Sequence, residues 1–295
     1  MNETTSSVDY SSMSDAELAK AEKEIARKYI GGVPWGMVFW WFANLTIWFA
    51  LWPLVIFNVI PLWVGFAIAC VNVSIAYLPS HEAQHSNFAK VGHPLRWLNE
   101  LIGRTSTIPL VLPYGVLRLT HMKHHSHTND PENDPDYGNN APNAWGAIWN
   151  SIKKRQSGSD DDYGKALEKM GQTPEVMAAI YEAIIWRLGH IAILIALAWS
   201  GFALEAFFLW FLPKHIGMSH IVFYLSWAPH VPFEKMGRYE NTRAWRSKMG
   251  NIFSQGMQYH VIHHLHPAIP LFRNGAAYWE MRDILQARGV QIDGL

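Results

Sequence analysis

The sequence predicts an all-α integral membrane protein, with about four transmembrane helices and a cytoplasmic helical cap that holds a histidine-rich metal site. Three observations predict it. Hydrophobic residues make up 49% of the 295-residue chain and charged residues only 16%, against roughly 25% charged in a soluble globular chain. The apolar residues gather into long uncharged runs. Eight of the 15 histidines are also grouped, in three short strings at or just beyond the ends of those runs. The 24 basic and 24 acidic side chains balance, and without a basic surplus no nucleic acid is expected as a partner. A single cysteine excludes an internal disulfide and a thiolate-ligated iron–sulfur centre within the chain.

Residues 1–32 read as a cytoplasmic N-terminal tail: a Ser/Thr-rich start, then Ser14-Asp15-Ala16-Glu17, which fits an N-capped amphipathic helix. No positive n-region and apolar h-region open the chain, so no cleavable signal peptide is expected. Residues 33–272 form the membrane domain. Its first span covers about residues 34–57, uncharged and long enough for the roughly 20 residues a bilayer requires. A turn at Pro61 leads into a second span at about 63–79. Two later runs, about 183–199 and 202–228, are divided at Ser200-Gly201. Arg187, His190, Lys214, His215 and His220 interrupt them, and ionisable groups at membrane depth usually face an interior or a site. Trp35, Trp40, Trp41, Trp48 and Trp52 read as interface belts and packing. The outer turns carry no Lys or Arg, which puts both termini and the intervening segments in the cytoplasm by the positive-inside rule. Residues 273–295 form a cytoplasmic C-terminal segment.

The histidines occur as His81-Glu-Ala-Gln-His85, His121-Met-Lys-His124-His125 and His260-Val-Ile-His263-His264, with His127, His230 and His266 nearby. Residues three and four apart share a helix face, so each string can present a pair or triplet of imidazoles inward. Eight imidazoles exceed what one zinc ion takes, about four ligands in structural sites and three in catalytic ones. The set suits two metal ions, whose identity imidazole chemistry leaves open. His93, His190, His215 and His220 read as ordinary core or surface residues.

The order HxxxH, HxxHH, HxxHH against four spans resembles the integral-membrane fatty-acid-desaturase superfamily, which implies two non-haem irons (Fe2+) and O2 as co-substrate. THMKHHSHTNDPENDPDYG, LSWAPHVPFEKMGRYENTRAW and GMQYHVIHHLHPAIPLF resemble more narrowly the three-box carotenoid β-ring hydroxylases. That resemblance adds His230, from the PHxPF string, to the ligands. It implies nine: His81, His85, His121, His124, His125, His230, His260, His263 and His264. The chain departs from that family at Glu82, where an aspartate is usual, which keeps the carboxylate but lengthens it.

The acidic string after the second box, with Asp130, Asp134 and Asp136, is placed to accept the other N–H of ligand imidazoles, and Glu82 is grouped with it. Tyr114, Trp227 and Tyr259 are candidate substrate-lining residues, with Trp279 a further one. No GxGxxG motif, haem domain or cysteine cluster supplies electrons, so an external ferredoxin-type donor is expected, with Arg238, Arg243, Arg246 and Lys248 as a docking stretch. The leading functional expectation is O2-dependent hydroxylation of the β-ionone ring of a carotenoid at carbon 3, as in β-carotene to zeaxanthin. The alternative is a fatty-acyl desaturase or another lipid hydroxylase, for which Lys153-Lys154-Arg155 offers a cationic patch. A metal transporter is a third reading, opposed by a first hairpin without ionisable residues.

Overall fold

The computed structural model describes residues 10–156, 161–245 and 249–292. These residues are helical throughout, apart from loops and one isolated bridge between Arg243 and Gln291. Four helices are long and apolar enough to cross a membrane: Trp35–Ile56, Leu62–Gln84, Pro174–Trp199 and Ala203–His230.

Helix α1 (Asp15–Tyr29) starts at a capping box. The Ser14 N–H donates to Glu17 Oε2 at 2.8 Å, and Ser14 Oγ accepts from the Glu17 N–H. Helix α2 (Trp35–Ile56) pairs with α3 (Leu62–Ser74) through two buried amides: Asn44 Nδ2 donates to the Asn72 carbonyl at 2.8 Å and Asn72 Nδ2 to that of Asn44 at 3.0 Å. With no water in the hydrocarbon layer, such groups satisfy each other or stay unpaired. Trp40 donates to the Ile75 carbonyl and Trp41 to Thr105 Oγ1. Trp48 and Trp52 pack edge-on against Trp210. These four are packing residues, whereas Trp35 is exposed.

The second span continues through α4 (Leu78–Gln84), so His81 lies in its last turns rather than beyond it. Then come α5 (Arg96–Thr105), α6 (Tyr114–His127), α7 (Ala144–Lys154) and α8 (Asp162–Met170). Helix α9 (Pro174–Trp199) starts nine residues earlier than the apolar run alone predicts, because Thr173 caps it and Glu175 and Glu182 are carried on its non-membrane end. The last span is one continuous rod: α10 (Ala203–Ala206), a π-helical stretch, α11 (Leu212–Ile221), a second π-helical stretch Val222–Trp227, and α12 (Ala228–His230). It delivers His230 at its end.

The short α13 (Gly250–Phe253) precedes α14 (His260–Leu265) and α15 (Leu271–Ala287). Leu18, Ile25 and Ala26 of α1 share one core with Val261, Ile262 and Leu265 of α14 and with Tyr278, Met281, Ile284 and Leu285 of α15. The two chain ends thus clamp the third histidine string. Glu22 adds a polar tie, accepting from His266 Nε2 at 2.8 Å and from Tyr239 Oη at 3.0 Å.

Candidate metal centre

The structure brings all nine sequence-named histidines together. Two sets of four have ligand atoms mutually within 4.8 Å: His81, His85, His121 and His263, and His124, His230, His260 and His264. His125 joins the first, its Nε2 lying 3.2 Å from His121 Nε2 and 2.9 Å from His263 Nε2 while its ring stacks on His264. His85 Nε2 and His121 Nε2 approach to 2.8 Å. The helical period explains the division: His121 and His125 share one face of α6, and His124 turns toward the other set.

In the second set every Nδ1 meets an acceptor. His124 Nδ1 donates to Asp134 Oδ1 at 2.8 Å, and His230 Nδ1 to the Asn241 carbonyl at 3.1 Å. His260 Nδ1 donates to Met257 Sδ at 3.1 Å. His264 Nδ1 donates to Thr128 Oγ1 at 3.3 Å, whose own proton goes to the His124 carbonyl. Donation from Nδ1 leaves Nε2 free to act as a ligand atom, and Nε2 of His260 and of His264 stand 3.0 Å apart. His230 Nε2 is buried without a protein partner. The donor set fits a metal ion. In the first set His81 Nδ1 and His263 Nδ1 find no acceptor, so its rings are held less firmly.

Electrostatics agree. Burial, then the neighbouring imidazoles, holds His121, His125, His260, His263 and His264 well below the usual histidine range, and burial takes His85 to about 3. Neutral imidazole is the ligand form. At His124 burial pulls downward, but the Asp134 charge and hydrogen bond outweigh it and raise the value. Burial alone would raise Asp134; His124 and the Asp136 and Asn129 amides bring it below the usual carboxylate range.

The carboxylates separate by contact. Asp134 holds His124, while Asp136 Oδ2 stands 4.0 Å from the same ring and its Oδ1 accepts from Tyr163 Oη at 2.8 Å. Asp130 instead accepts from Glu132 N, Asn133 N and Asn133 Nδ2 and touches no imidazole. Glu82 accepts from Leu271 N at 2.7 Å and Asn87 Nδ2 at 3.0 Å. One residue past His81 on a helix points about 100° away, so Glu82 ties the first box to the start of α15.

The aromatic candidates are packing residues. Tyr114 Oη donates to the Ala83 carbonyl at 2.9 Å, Trp227 Nε1 donates to the Ala141 carbonyl at 2.9 Å, and Tyr259 packs on Tyr278. Trp279 is half exposed on α15. The cavity beside the histidines, a narrow ≈ 80 Å³, is lined instead by Tyr77, Leu112, Leu117, Asn139, Tyr163, Met218, Val222 and Leu225, with His81, His121, His124 and His260. Of the docking candidates, Arg238 is exposed and donates to the Leu265 carbonyl, whereas Arg243 is buried and donates to that of Val231, which removes it from any docking surface. Arg246 and Lys248 lie outside the described residues.

Sequence reasoning missed Thr128, Met257, Asn129 and the Asn241 carbonyl. Met257 stands three residues before His260 and Thr128 four after His124, on the faces that matter, but neither residue type signals such a role. Asn129 takes the left-handed conformation at φ 65° just past α6. Its Nδ2 reaches the Lys235 and Asn241 carbonyls at 2.8 and 3.1 Å, joining the acidic loop to the loop after His230.

Residues 57–294 match the fatty acid desaturase family. The chain belongs to that family. An sn-1 oleoyl-lipid 12-desaturase of Anabaena variabilis is 26% identical over 239 residues, covering 70% of this chain and 65% of that protein. An sn-1 acyl-lipid omega-3 desaturase (ferredoxin) of Nostoc sp. is 34% identical over 61 residues, 21% of this chain and 16% of that protein. A zeaxanthin 4-ketolase of Chlamydomonas reinhardtii is 28% identical over 114 residues, 37% of this chain and 23% of that protein. The chain covers less than two thirds of the length of each of these relatives. The family match, the four apolar helices and the two histidine sets are those of an integral membrane protein whose histidine clusters fit a metal site.

Proposed function

We propose that this desaturase-family protein hydroxylates the β-ionone ring of a carotenoid at carbon 3, with iron held by the nine histidines and electrons from a ferredoxin-type donor. The observation that carries the reading is where the resembling strings meet. Asp134 and Asn129 of THMKHHSHTNDPENDPDYG hold His124 and the carbonyls beyond His230, and the Asn241 carbonyl of LSWAPHVPFEKMGRYENTRAW holds His230. The resembling strings build the second set and also carry His121, His125 and His263 of the first. A relative named zeaxanthin 4-ketolase supports a carotenoid substrate, and one named omega-3 desaturase (ferredoxin) supports the donor class.

Two bound irons would supply O2 activation and C–H oxidation, with the balance C–H + O2 + 2e⁻ + 2H⁺ → C–OH + H2O. This chain's residues fix imidazole orientation through the four Nδ1 contacts, exclude bulk water by burial, and set an apolar wall of Leu112, Leu117, Met218 and Leu225 beside the histidines. Both termini and the cap belong on the cytoplasmic side by the positive-inside rule. Fatty-acyl desaturation is the second reading, supported by the 12-desaturase relative matched across most of this chain.

The test is a combined pigment and fatty-acid profile of a β-carotene-producing host expressing the chain beside His263→Ala. Hydroxylated carotenoid that vanishes in the control is the expected result. An unchanged pigment profile with a new fatty-acid double bond would move the assignment to the second reading.

A further inference from the structure

The space beside the histidines is too small to hold a long lipid. At ≈ 80 Å³ it lies far below the roughly 300–1,000 Å³ of pockets that enclose a drug-sized ligand, so most of any such substrate lies elsewhere. A second cavity, of ≈ 750 Å³, falls within that range and sits between α6, α8 and α9.

Two observations join the cavities. Tyr163 of α8 stands in the wall of both. The start of α6 divides them, with Pro113 and Val116 lining the large one and Leu112 and Leu117 the small one. Tyr163 is held at this boundary: its Oη donates to Asp136 Oδ1 at 2.8 Å, and its ring packs against the core of Val116, Leu167 and Val176. Asp136 itself lines the small cavity, beside His124.

The large cavity is elongated. Helix α9 contributes Val176, Ile180, Ala183, Ile184 and Arg187 to its wall, spacings that keep to one helix face. The rise from Val176 to Arg187 is roughly 16 Å at about 1.5 Å per residue. That face is apolar until Arg187, and the other polar wall groups, Asp161, Glu168 and Gln172, come from α8 and its two ends.

We infer that the polyene of the carotenoid lies along α9 in the large cavity, and that Tyr163 closes the passage through which the ring end reaches the histidines. Tyr163 is then a specificity-determining residue, and the inference deepens the reaction proposed above and rests on it for the substrate. An apolar chain gains by leaving water for such a wall. For a ring to pass, the Tyr163 side chain turns aside and gives up its hydrogen bond to Asp136, so that carboxylate sets how readily the passage opens.

The test purifies the full chain in detergent from a β-carotene-producing host and measures carotenoid and iron per chain, alongside the products in the cells. Ala183→Trp, or the less buried Ile184→Trp, fills the cavity and should lower retained carotenoid at least about tenfold with iron unchanged. Ile195→Trp, the same change at an exposed position of the same helix outside the cavity, should match wild type. Tyr163→Trp should keep carotenoid and iron but lose at least about tenfold in hydroxylated product, and Tyr163→Phe, which restores the size of the ring, should recover it. Carotenoid retained by wild type without any hydroxylation would refute the reaction proposed above and leave the cavity assignment standing. A wild type that retains no carotenoid, retention in both cavity variants equal to that in Ile195→Trp, or undiminished product in Tyr163→Trp would overturn the inference.

Discussion

Replacing Asp134 by asparagine should loosen one histidine set and spare the other. The Asp134 carboxylate accepts a hydrogen bond from His124 Nδ1 at 2.8 Å, and His124 belongs to the set with His230, His260 and His264. A hydrogen bond to a charged group contributes about 1.5–3 kcal/mol net and a neutral one about 0.5–1.5. The amide can still accept, so Asp134→Asn forfeits about 1–1.5 kcal/mol, or about tenfold in metal affinity. Asp134→Ala leaves the imidazole N–H unpartnered and should approach about a hundredfold. The assay is chelator titration of anaerobically iron-loaded protein, following metal per chain. One equivalent should leave at about tenfold lower chelator in Asp134→Asn while the other leaves as in wild type. Asp130→Asn, whose carboxylate touches no imidazole, should match wild type. Release of both metals together in Asp134→Asn, or wild-type retention of both, would refute the reasoning.

Other outcomes follow from the same contacts. Met257→Leu removes the sulfur that orients His260 and should weaken the same set by about tenfold, read by the same titration; unchanged retention would mean the sulfur contact orients nothing. Glu82→Gln should lower the melting temperature with both metals retained, since its partners are Leu271 and Asn87; selective metal loss would place Glu82 in the centre after all. In Gly103→Ala the new Cβ would lie 2.5 Å from Tyr114 Cε2, and such overpacking costs about 1–3 kcal/mol in thermal unfolding; an unshifted midpoint would contradict the packing. Burial alone would raise the Glu22 carboxyl, yet His266, Tyr239 and Arg288 hold it below the usual range. Its stabilisation is therefore present above the ordinary carboxylate pKa and drains away as pH falls through the lowered folded value. The melting-temperature gap between wild type and Glu22→Gln should narrow on acidification, and a constant gap would remove Glu22 from the clamp.

What the sequence made legible depended on whether a residue's role is local. The spans are legible because a bilayer demands uninterrupted apolar length. The histidine faces are legible because spacings of three and four share a helix face. Asp134 was readable as one of several acids beside the second box, but only the turn built by Asn129 selects it over Asp130. Glu82 stands next to His81 in sequence, yet the helix turns it away. Tyr114, Trp227 and Tyr259 looked like tunnel residues because an aromatic gives no sign of where its polar tip finds a partner. The packing of α15 against α1 was not legible, since it depends on contacts across more than two hundred residues of sequence.

The most direct test of the account is the isotope in the product. Membranes of a β-carotene-producing host expressing this chain, supplied with ¹⁸O2, should yield a ring-hydroxylated carotenoid carrying one ¹⁸O per hydroxyl, absent from His263→Ala. A hydroxyl without ¹⁸O, or no oxygenated carotenoid while fatty acids gain double bonds, would contradict it.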